Sequence, residues 1–260
     1  MFLSVTKAAI DLAFKLTTKM HEAVSANGER VILKLTDQHE VQALRRLHDN
    51  QSNKPTRIVP LLEVIDERLI VLPLRTPLLQ FLNLDASVGD VTLLALQFLE
   101  GVVHMQNSSV AHLDLKPHNI VVQEDPESKN VALEIIDFEI SVLADVEPTI
   151  SDSSGTSGWS APEVSAGESY SALLADRWSC GRVLMFFTER MAPSQMRKVM
   201  RLWSQRLMDP NPSRRPLVPN LVKLQEIAGM LNPSKRFPIS GPNGAPRRKR
   251  EKPRSSRQKT

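Results

Sequence analysis

The sequence is poor in cysteine and aromatic residues, and it has no long hydrophobic run. Its 260 residues include one cysteine, Cys180, which excludes an internal disulfide and predicts a reducing compartment. No uninterrupted apolar stretch is long enough to cross a bilayer. Charges at Lys7, Asp11 and Lys15 replace the apolar centre of a signal peptide. These absences predict an intracellular protein, cytoplasmic or nuclear, with no membrane partner.

Charge is distributed unevenly along the chain. The formal net charge is +4, but residues 247–260 alone carry eight Lys/Arg and one Glu, so the other 246 residues sum to −3. A mildly acidic body argues against a globular domain that binds nucleic acid through its whole surface. The basic tail predicts an appendage for import factors or polyanions, or one that only keeps the chain soluble.

The first third of the chain predicts a small α+β unit. Residues 22–35 have the pattern of a β-hairpin with a two-residue turn at Asn27-Gly28. A helix follows, with Thr36 as its N-cap and Asp37 near its positive end. Residues 56–74 predict two short strands around a turn at Asp66-Glu67, and residues 1–21 an amphipathic helical segment.

The rest of the chain is mainly helical by its hydrophobic pattern. Residues 88–106 predict a long, nearly all-apolar helix, and residues 173–190 a second buried one. Amphipathic helices are predicted after Met191 and after Pro216. From residue 232 onward, proline, glycine and basic residues predict disorder. The predicted division is an N-terminal segment 1–21, a small unit 22–76, a larger unit 77–231 and a tail 232–260.

Three polar residues stand close together between buried segments in "AHLDLKPHNIVV", residues 111–122. An Asx-type turn with a solvated lysine is the simple interpretation. However, "HLDLKPHN" resembles the catalytic loop H-R-D-L-K-P-x-x-N of protein kinases. The resemblance implies that Asp114 orients the acceptor hydroxyl, Lys116 neutralises charge on the γ-phosphoryl group, and Asn119 binds Mg²⁺. It gives His112 a structural role.

Later motifs follow in the order of that family. "IIDFEIS" resembles the D-F-G segment, which implies that Asp137 binds Mg²⁺ and Phe138 packs inward. "GTSGWSAPE" resembles the end of an activation segment. There Glu163 pairs with a buried arginine, for which "NPSRRP" supplies Arg215. "ADRWSCGRVL" resembles the helix whose aspartate, Asp176, supports the catalytic loop.

The first unit resembles the small lobe of the same family. "VILK" resembles V-A-I-K and implies that Lys34 contacts the α- and β-phosphates of ATP, with Glu40 as its ion-pair partner. "IVLPLRTP", residues 70–77, resembles the hinge between lobes. The adenine would then be bound by backbone groups of Pro73 and Arg75.

The resemblance covers roughly residues 22–230 and implies a two-lobed α+β fold, with a small, incomplete β-rich N-lobe and a larger helical C-lobe. It implies ATP and Mg²⁺ as cofactors and a protein substrate. Small-molecule phosphotransferases share H-x-D-x-x-x-x-N, but D-L-K-P and A-P-E favour a protein kinase. Lys116 favours Ser/Thr over Tyr as acceptor.

The sequence departs from the family at three motifs. The three glycines of the phosphate-binding loop should fall near Leu12, Phe14 and Thr17, yet residues 1–27 contain no glycine. Leu113 replaces the H-R-D arginine, and Glu139 replaces the D-F-G glycine. The interval from Asp176 to Arg215 is also short. Two hypotheses therefore remain open, an active Ser/Thr-type kinase and a pseudokinase that serves as a binding or scaffold module.

Overall fold

The computed structural model describes residues 19–49, 55–65, 68–84, 88–125, 127–128, 130–146, 149–219 and 223–224. The glycine-loop positions Leu12, Phe14 and Thr17 lie outside the described residues. So do the Asp66-Glu67 turn, the tail, and nearly all of the helix predicted after Pro216.

The N-terminal unit is an antiparallel sheet with one helix. Its strands β1 to β4 and helix α1 are Met20–Val24 (β1), Arg30–Leu35 (β2), Gln38–Asp49 (α1), Glu63–Ile65 (β3) and Leu69–Pro73 (β4). The strand order is β1-β2-β4-β3, and Lys34 on β2 lies opposite Ile70 on β4. The predicted order of hairpin, helix and hairpin is confirmed, although β1 begins at Met20, inside the segment predicted as helical.

The hairpin loop is longer than the predicted two-residue turn. The backbone N–H of Ser25 donates to the carbonyl of Glu29, and that of Gly28 donates to Ser25, both at 2.9 Å. Gly28 has a φ of 83°, while Asn27 is not among the described non-glycine residues with positive φ. A two-residue type I′ turn needs positive φ at both positions. The loop is instead a turn closed by one left-handed glycine.

The cap of α1 also differs from the prediction. The Asp37 carboxylate accepts hydrogen bonds from the backbone N–H groups of His39 at 3.0 Å and Glu40 at 3.2 Å, so Asp37 is the N-cap. The Thr36 hydroxyl donates to the Glu40 carboxylate instead. The helix start therefore positions Glu40 through both its backbone and its side chain.

Replacing Asp37 by alanine should destabilise the protein by about 1 kcal/mol, because two N–H groups of the first turn lose their acceptor. Urea unfolding followed by circular dichroism measures this change. Asp37→Asn keeps a side-chain acceptor and serves as the matched control, expected within a few tenths of a kcal/mol of the parent. Equal loss in both variants would show that the carboxylate charge, and not the cap, matters.

The C-terminal unit is built on helices that confirm the two long predictions. Its strands β5 to β11 and helices α2 to α6 are, in chain order, Thr76–Pro77 (β5), Leu78–Leu84 (α2), Val88–Asn107 (α3), Val110–Ala111 (β6), Ile120–Glu124 (β7), Val131–Ile135 (β8), Val142–Leu143 (β9), Thr149–Ile150 (β10), Pro162–Ser165 (α4), Tyr170–Ser171 (β11), Ala172–Arg190 (α5) and Gln195–Leu207 (α6). Short 3₁₀ turns cover Pro117–Asn119 and Pro212–Arg214.

A single large apolar cluster connects the two units. Leu44 and Leu47 of α1 share it with α3 and α5, where Phe98 and Phe187 are fully buried with ring centroids 6.0 Å apart. Ile58, which follows α1, forms a parallel bridge with Ile135 at the end of β8. The core therefore holds α1 and β8 close together, and with them Glu40 and Asp137.

Within the described ranges, no helix is both long enough and apolar enough to span a bilayer.

Candidate active site

A buried carboxylate, that of Asp176, holds the backbone at the start of the catalytic-loop segment, residues 112–119. Asp176 on α5 accepts hydrogen bonds from the backbone N–H of His112 at 2.6 Å and of Leu113 at 2.8 Å. Burial raises the pKa of the Asp176 carboxyl, while His112 and the two N–H groups act in the opposite direction. Leu113 has a φ of 65°, and the bond to Asp176 holds this strained turn in place.

Asp114 lies at the centre of a connected polar group. Its carboxylate accepts hydrogen bonds from Lys116 Nζ at 2.6 Å, Thr156 Oγ1 at 2.7 Å and Asn119 Nδ2 at 3.0 Å. Lys116 Nζ also donates to Thr156 Oγ1 at 2.7 Å. The three polar residues of the catalytic-loop segment, Asp114, Lys116 and Asn119, therefore come together, and their contacts fix the direction of the Asp114 carboxylate.

Thr156 is a site residue that the sequence reasoning missed. It lies in the Ser/Gly-rich segment before "WSAPE", where it was not distinguished from its serine neighbours. The available signal was its spacing in the sequence, because Thr156 comes directly after Gly155 and seven residues before Glu163. Gly155 has a φ of 110°, and a Cβ there would lie 2.5 Å from Ser160 Oγ and 2.9 Å from the carbonyl of Leu113. Only glycine lets the chain pass this close to the catalytic loop.

Lys34 connects the two units of the chain. Its Nζ atom lies 2.8 Å from Glu40 Oε1 on α1 and 2.6 Å from Asp137 Oδ1 after β8. Glu40 Oε1 also accepts a hydrogen bond from the backbone N–H of Phe138 at 3.1 Å. The predicted partners Lys34 and Glu40 are thus brought together, and both contact the D-F segment.

The electrostatics of this cluster favour the charged forms. Burial lowers the pKa of Lys34, but the carboxylates of Glu40 and Asp137 outweigh it and leave the pKa above its ordinary value. Burial raises the pKa of Asp137, but the Lys34 ammonium outweighs it and the pKa lies below its ordinary value. Lys34 and Asp137 therefore both stay ionised at neutral pH.

Phe138 is fully buried, as the resemblance implied. Its ring lies 4.7 Å from that of His112, and His112 Nε2 is 2.9 Å from the carbonyl of Ile136. The Ser141 hydroxyl donates to the carbonyl of Phe138 at 2.6 Å. Asp137 has a φ of 69°, a left-handed conformation that aspartate tolerates better than most side chains. These contacts hold the segment in one conformation.

The activation-segment motif is joined to the end of the described chain by a buried ion pair. Arg215 donates to Glu163 through Nη1 at 2.5 Å and Nη2 at 2.8 Å. Further donation goes from Nη1 to the carbonyl of Leu174 and from Nε to that of Asp209, each at 2.9 Å. The structure therefore brings together the two residues paired by sequence.

The hinge residues lie between the units. Pro73 ends β4, and the N–H of Leu74 donates to the carbonyl of Arg30 at 3.2 Å. Arg75 Nε donates to Glu134 on β8 at 2.9 Å, which ties this segment to the C-terminal unit. Binding of adenine by Pro73 and Arg75 stays a prediction.

Asn119 and Asp137 fit a magnesium site by the chemistry of their donor atoms. Asn119 directs its NH₂ group to the carbonyl and carboxylate of Asp114, both at 3.0 Å, which turns its amide oxygen away from Asp114. The Asp137 side chain is 39% exposed and carries an ionised carboxylate. Oxygen donors of these two types are the ones Mg²⁺ prefers. In the described part of the chain, no three His, Cys, Asp or Glu side chains group into a separate metal site.

The two described departures from the family have specific surroundings. Glu139, in place of glycine, forms an ion pair with Lys19, which precedes β1. Leu113, in place of arginine, is buried against apolar neighbours of the activation segment, including Ile150 and Ala161. Apolar packing around Leu113 thus holds the activation segment at the position where the family has a charged arginine.

Parts of this chain are similar to known proteins. A family model described as "Protein kinase domain" matches residues 12–233. CBL-interacting protein kinase 20 of Oryza sativa subsp. japonica is 27% identical over 151 residues, which cover 49% of this chain and 32% of that protein. CBL-interacting serine/threonine-protein kinase 24 of Arabidopsis thaliana is 31% identical over 142 residues, with 46% and 30% covered.

A third relative, calcium-dependent protein kinase 4 of Plasmodium falciparum (isolate 3D7), is 35% identical over 95 residues, which cover 36% of this chain and 17% of that protein. This chain thus spans about a third or less of the length of these curated relatives. The family match covers most of the chain and agrees with the two-unit fold. The chain belongs to the protein kinase domain family.

Proposed function

We propose that the protein transfers the γ-phosphoryl group of ATP to Ser or Thr hydroxyls of protein substrates. The observation that carries this proposal is the position of Lys34 Nζ, 2.8 Å from Glu40 and 2.6 Å from Asp137. This contact assembles the phosphate-binding cation and a metal-ligand carboxylate from two units of the chain. Phosphoryl transfer depends mainly on such positioning.

The acceptor side of the reaction belongs to Asp114. Its carboxylate, oriented by Thr156 and Asn119, would hold the substrate hydroxyl and accept its proton as the hydroxyl attacks. Lys116 Nζ, 2.6 Å from Asp114, would stabilise negative charge on the transferring group.

The nucleotide side belongs to Lys34, Asn119 and Asp137. Lys34 would contact the α- and β-phosphates, and Glu40 keeps its ammonium group in place. Asn119 and Asp137 would hold Mg²⁺, which neutralises charge on the β- and γ-phosphates when bound. Protein kinase domains in general use ATP and Mg²⁺.

A pseudokinase is the second candidate, and Glu139 is the observation that favours it. The carboxylate of Glu139 stands two residues from Asp137, where the family has a glycine. The Glu139 side chain is partly exposed and forms an ion pair with Lys19. A negative charge there opposes phosphate binding.

The test is calorimetry of the full chain with ATP, with and without Mg²⁺, followed by phosphate transfer to itself or to a generic protein substrate. Magnesium-dependent ATP binding with transfer supports the enzyme. Binding without transfer supports the pseudokinase. Absence of both removes the proposed enzymatic function.

Replacing Glu139 by glutamine should tighten Mg–ATP binding about three- to tenfold, because it removes one negative charge two residues from Asp137, the proposed metal ligand, while side-chain size is kept. Glu139→Gly is the matched variant that also frees the backbone. Titration calorimetry on both compares the two effects. If only the glycine variant binds more tightly, backbone conformation and not charge limits nucleotide binding. No change in either would remove the proposed role of Glu139.

We also propose that the basic tail directs nuclear import or binds polyanions, with a solvating role as the alternative. Its eight Lys/Arg among residues 247–260 support this. A fluorescent fusion lacking residues 246–260 should lose nuclear enrichment relative to the full chain. An unchanged distribution would contradict the import function.

A further inference from the structure

We propose that a surface of stacked arginines and aromatic rings beside the activation segment binds acidic residues of the substrate. The surface, called here the arginine–aromatic strip, consists of Trp159, Trp178, Arg182, Phe186 and Arg190. The inference rests on the proposed kinase function, because it assigns the substrate class of the same site.

The arginines and rings of the strip already contact one another in the free protein. The Arg182 guanidinium lies 5.6 Å from the ring centroid of Trp159 and 5.9 Å from that of Trp178. The Arg190 guanidinium lies 3.7 Å from the ring centroid of Phe186. Contact with a ring restrains the flat guanidinium. Each guanidinium donates one N–H to a backbone carbonyl, Arg182 Nε to Gly158 and Arg190 Nη1 to Phe186, both at 3.0 Å, and retains further N–H groups for a carboxylate.

The rings are anchored to one another and to the core. Trp159 and Phe186 meet edge to face with centroids 6.4 Å apart, and Phe186 contacts the buried Phe187 at 5.7 Å. The two arginines therefore stand on a rigid support, which reduces the entropy lost when a ligand binds.

The strip begins next to the candidate acceptor site. Arg182 Nε donates to the carbonyl of Gly158 at 3.0 Å, and the N–H of Trp159 donates to the carbonyl of Thr156 at 2.9 Å. Thr156 in turn contacts Asp114. A peptide whose hydroxyl reaches Asp114 would pass these residues within a few positions of its acceptor.

The charge of the surrounding chain has the sign that an acidic partner requires. Without Arg215, which is buried and paired with Glu163, residues 177–214 contain eight Lys/Arg and two Asp/Glu, although the body of the protein is mildly acidic as a whole. One of the two acids, Glu189, lies 4.0 Å from Arg190 but is 67% exposed, so water weakens its hold on that arginine. Substrate carboxylates are thus attracted to this face.

The experiment measures peptide binding separately from phosphoryl transfer. In the full chain carrying Asp114→Asn, fluorescence anisotropy compares peptides with a central serine flanked by glutamate, alanine or lysine. The glutamate peptide should bind about tenfold more tightly than the alanine peptide. Arg182→Gln with Arg190→Gln should remove this preference, a loss of about tenfold. Arg197→Gln with Arg201→Gln on α6 is the matched control and should keep most of it. The basic tail is present throughout, so it cannot cause the difference.

The outcomes separate this inference from the proposed function. Loss of preference in the first double variant alone supports the strip, even if the parent never transfers phosphate. Equal loss in the control would assign the attraction to the whole basic segment and overturn the strip. The inference would also be overturned if all three peptides bound equally. It would be overturned as well if a single-stranded RNA oligonucleotide bound through Arg182 and Arg190 while acidic peptides did not bind. Phosphate transfer without any acidic preference would leave the function intact and remove this inference.

Discussion

Asp114→Asn should lower kcat by roughly 10²- to 10⁴-fold while ATP affinity stays nearly unchanged. The Asp114 carboxylate faces Thr156 and Lys116, on the acceptor side of the site. An amide keeps the size of the side chain but cannot take the proton of the attacking hydroxyl. In the proposed reaction this interaction is made chiefly in the transition state, so its loss should appear in kcat.

Asp137→Asn should give a different result. Its carboxylate contacts Lys34 and would hold Mg²⁺, so the change should weaken magnesium-dependent ATP binding as well as catalysis. Lys34→Met should resemble Asp137→Asn, because it would remove the proposed phosphate contact and leave the buried Glu40 without its cation.

Calorimetry with ATP, with and without Mg²⁺, and initial rates on the parent and the three variants separate these effects. Lys198→Met, at an exposed lysine of α6, is the control and should change neither quantity. If Asp114→Asn abolished ATP binding while Asp137→Asn spared it, the assigned roles would be wrong. If the parent has no rate and no variant alters partner binding, the pseudokinase remains.

Arg215→Ala should destabilise the protein by about 3–5 kcal/mol, the cost of breaking a buried ion pair from one side. Arg215 is 2% exposed and makes two hydrogen bonds to Glu163. Its loss leaves the Glu163 carboxylate buried without its cation. It also removes the donor to the carbonyls of Leu174 and Asp209.

Urea unfolding of the parent and variants measures this loss. Arg214→Ala removes the neighbouring exposed arginine and should stay within about 0.5 kcal/mol of the parent. Arg215→Lys keeps the charge but not the two-pronged geometry, so it should fall between the two. It also gives a measurable value if Arg215→Ala does not fold. An Arg215→Ala protein as stable as Arg214→Ala would contradict the structural role.

Much of the candidate site could be predicted from the sequence because most of its residues belong to short, ordered motifs. Asp114, Lys116 and Asn119 lie within six residues, so local chain geometry alone keeps them close. The helices Val88–Asn107 and Ala172–Arg190 follow the predicted ranges within one residue, because long apolar segments have few alternatives to burial as helices.

The predictions of the α1 N-cap and of the first hairpin turn were wrong because contacts outside the local sequence decided both. Thr36 and Asp37 are both good N-caps, and the choice between them depended on Glu40, which Thr36 contacts because Glu40 is held towards Lys34. Asn27-Gly28 suits a tight turn, but the pairing of Val24 with Arg30 left five residues between the strands. Strand register is a property of the whole sheet and decided the loop.

The sequence by itself determined the order of the elements, the family and most of the candidate site residues, because these depend on local patterns. Only the tertiary structure decided which distant side chains meet. Thr156 contacts Asp114 across 42 positions, and Glu139 meets Lys19 across 120. The stacking of Arg182 on Trp159 is a contact of the same kind. Such pairs depend on how helices and strands pack, and packing is set by the sum of many weak contacts that no single motif encodes.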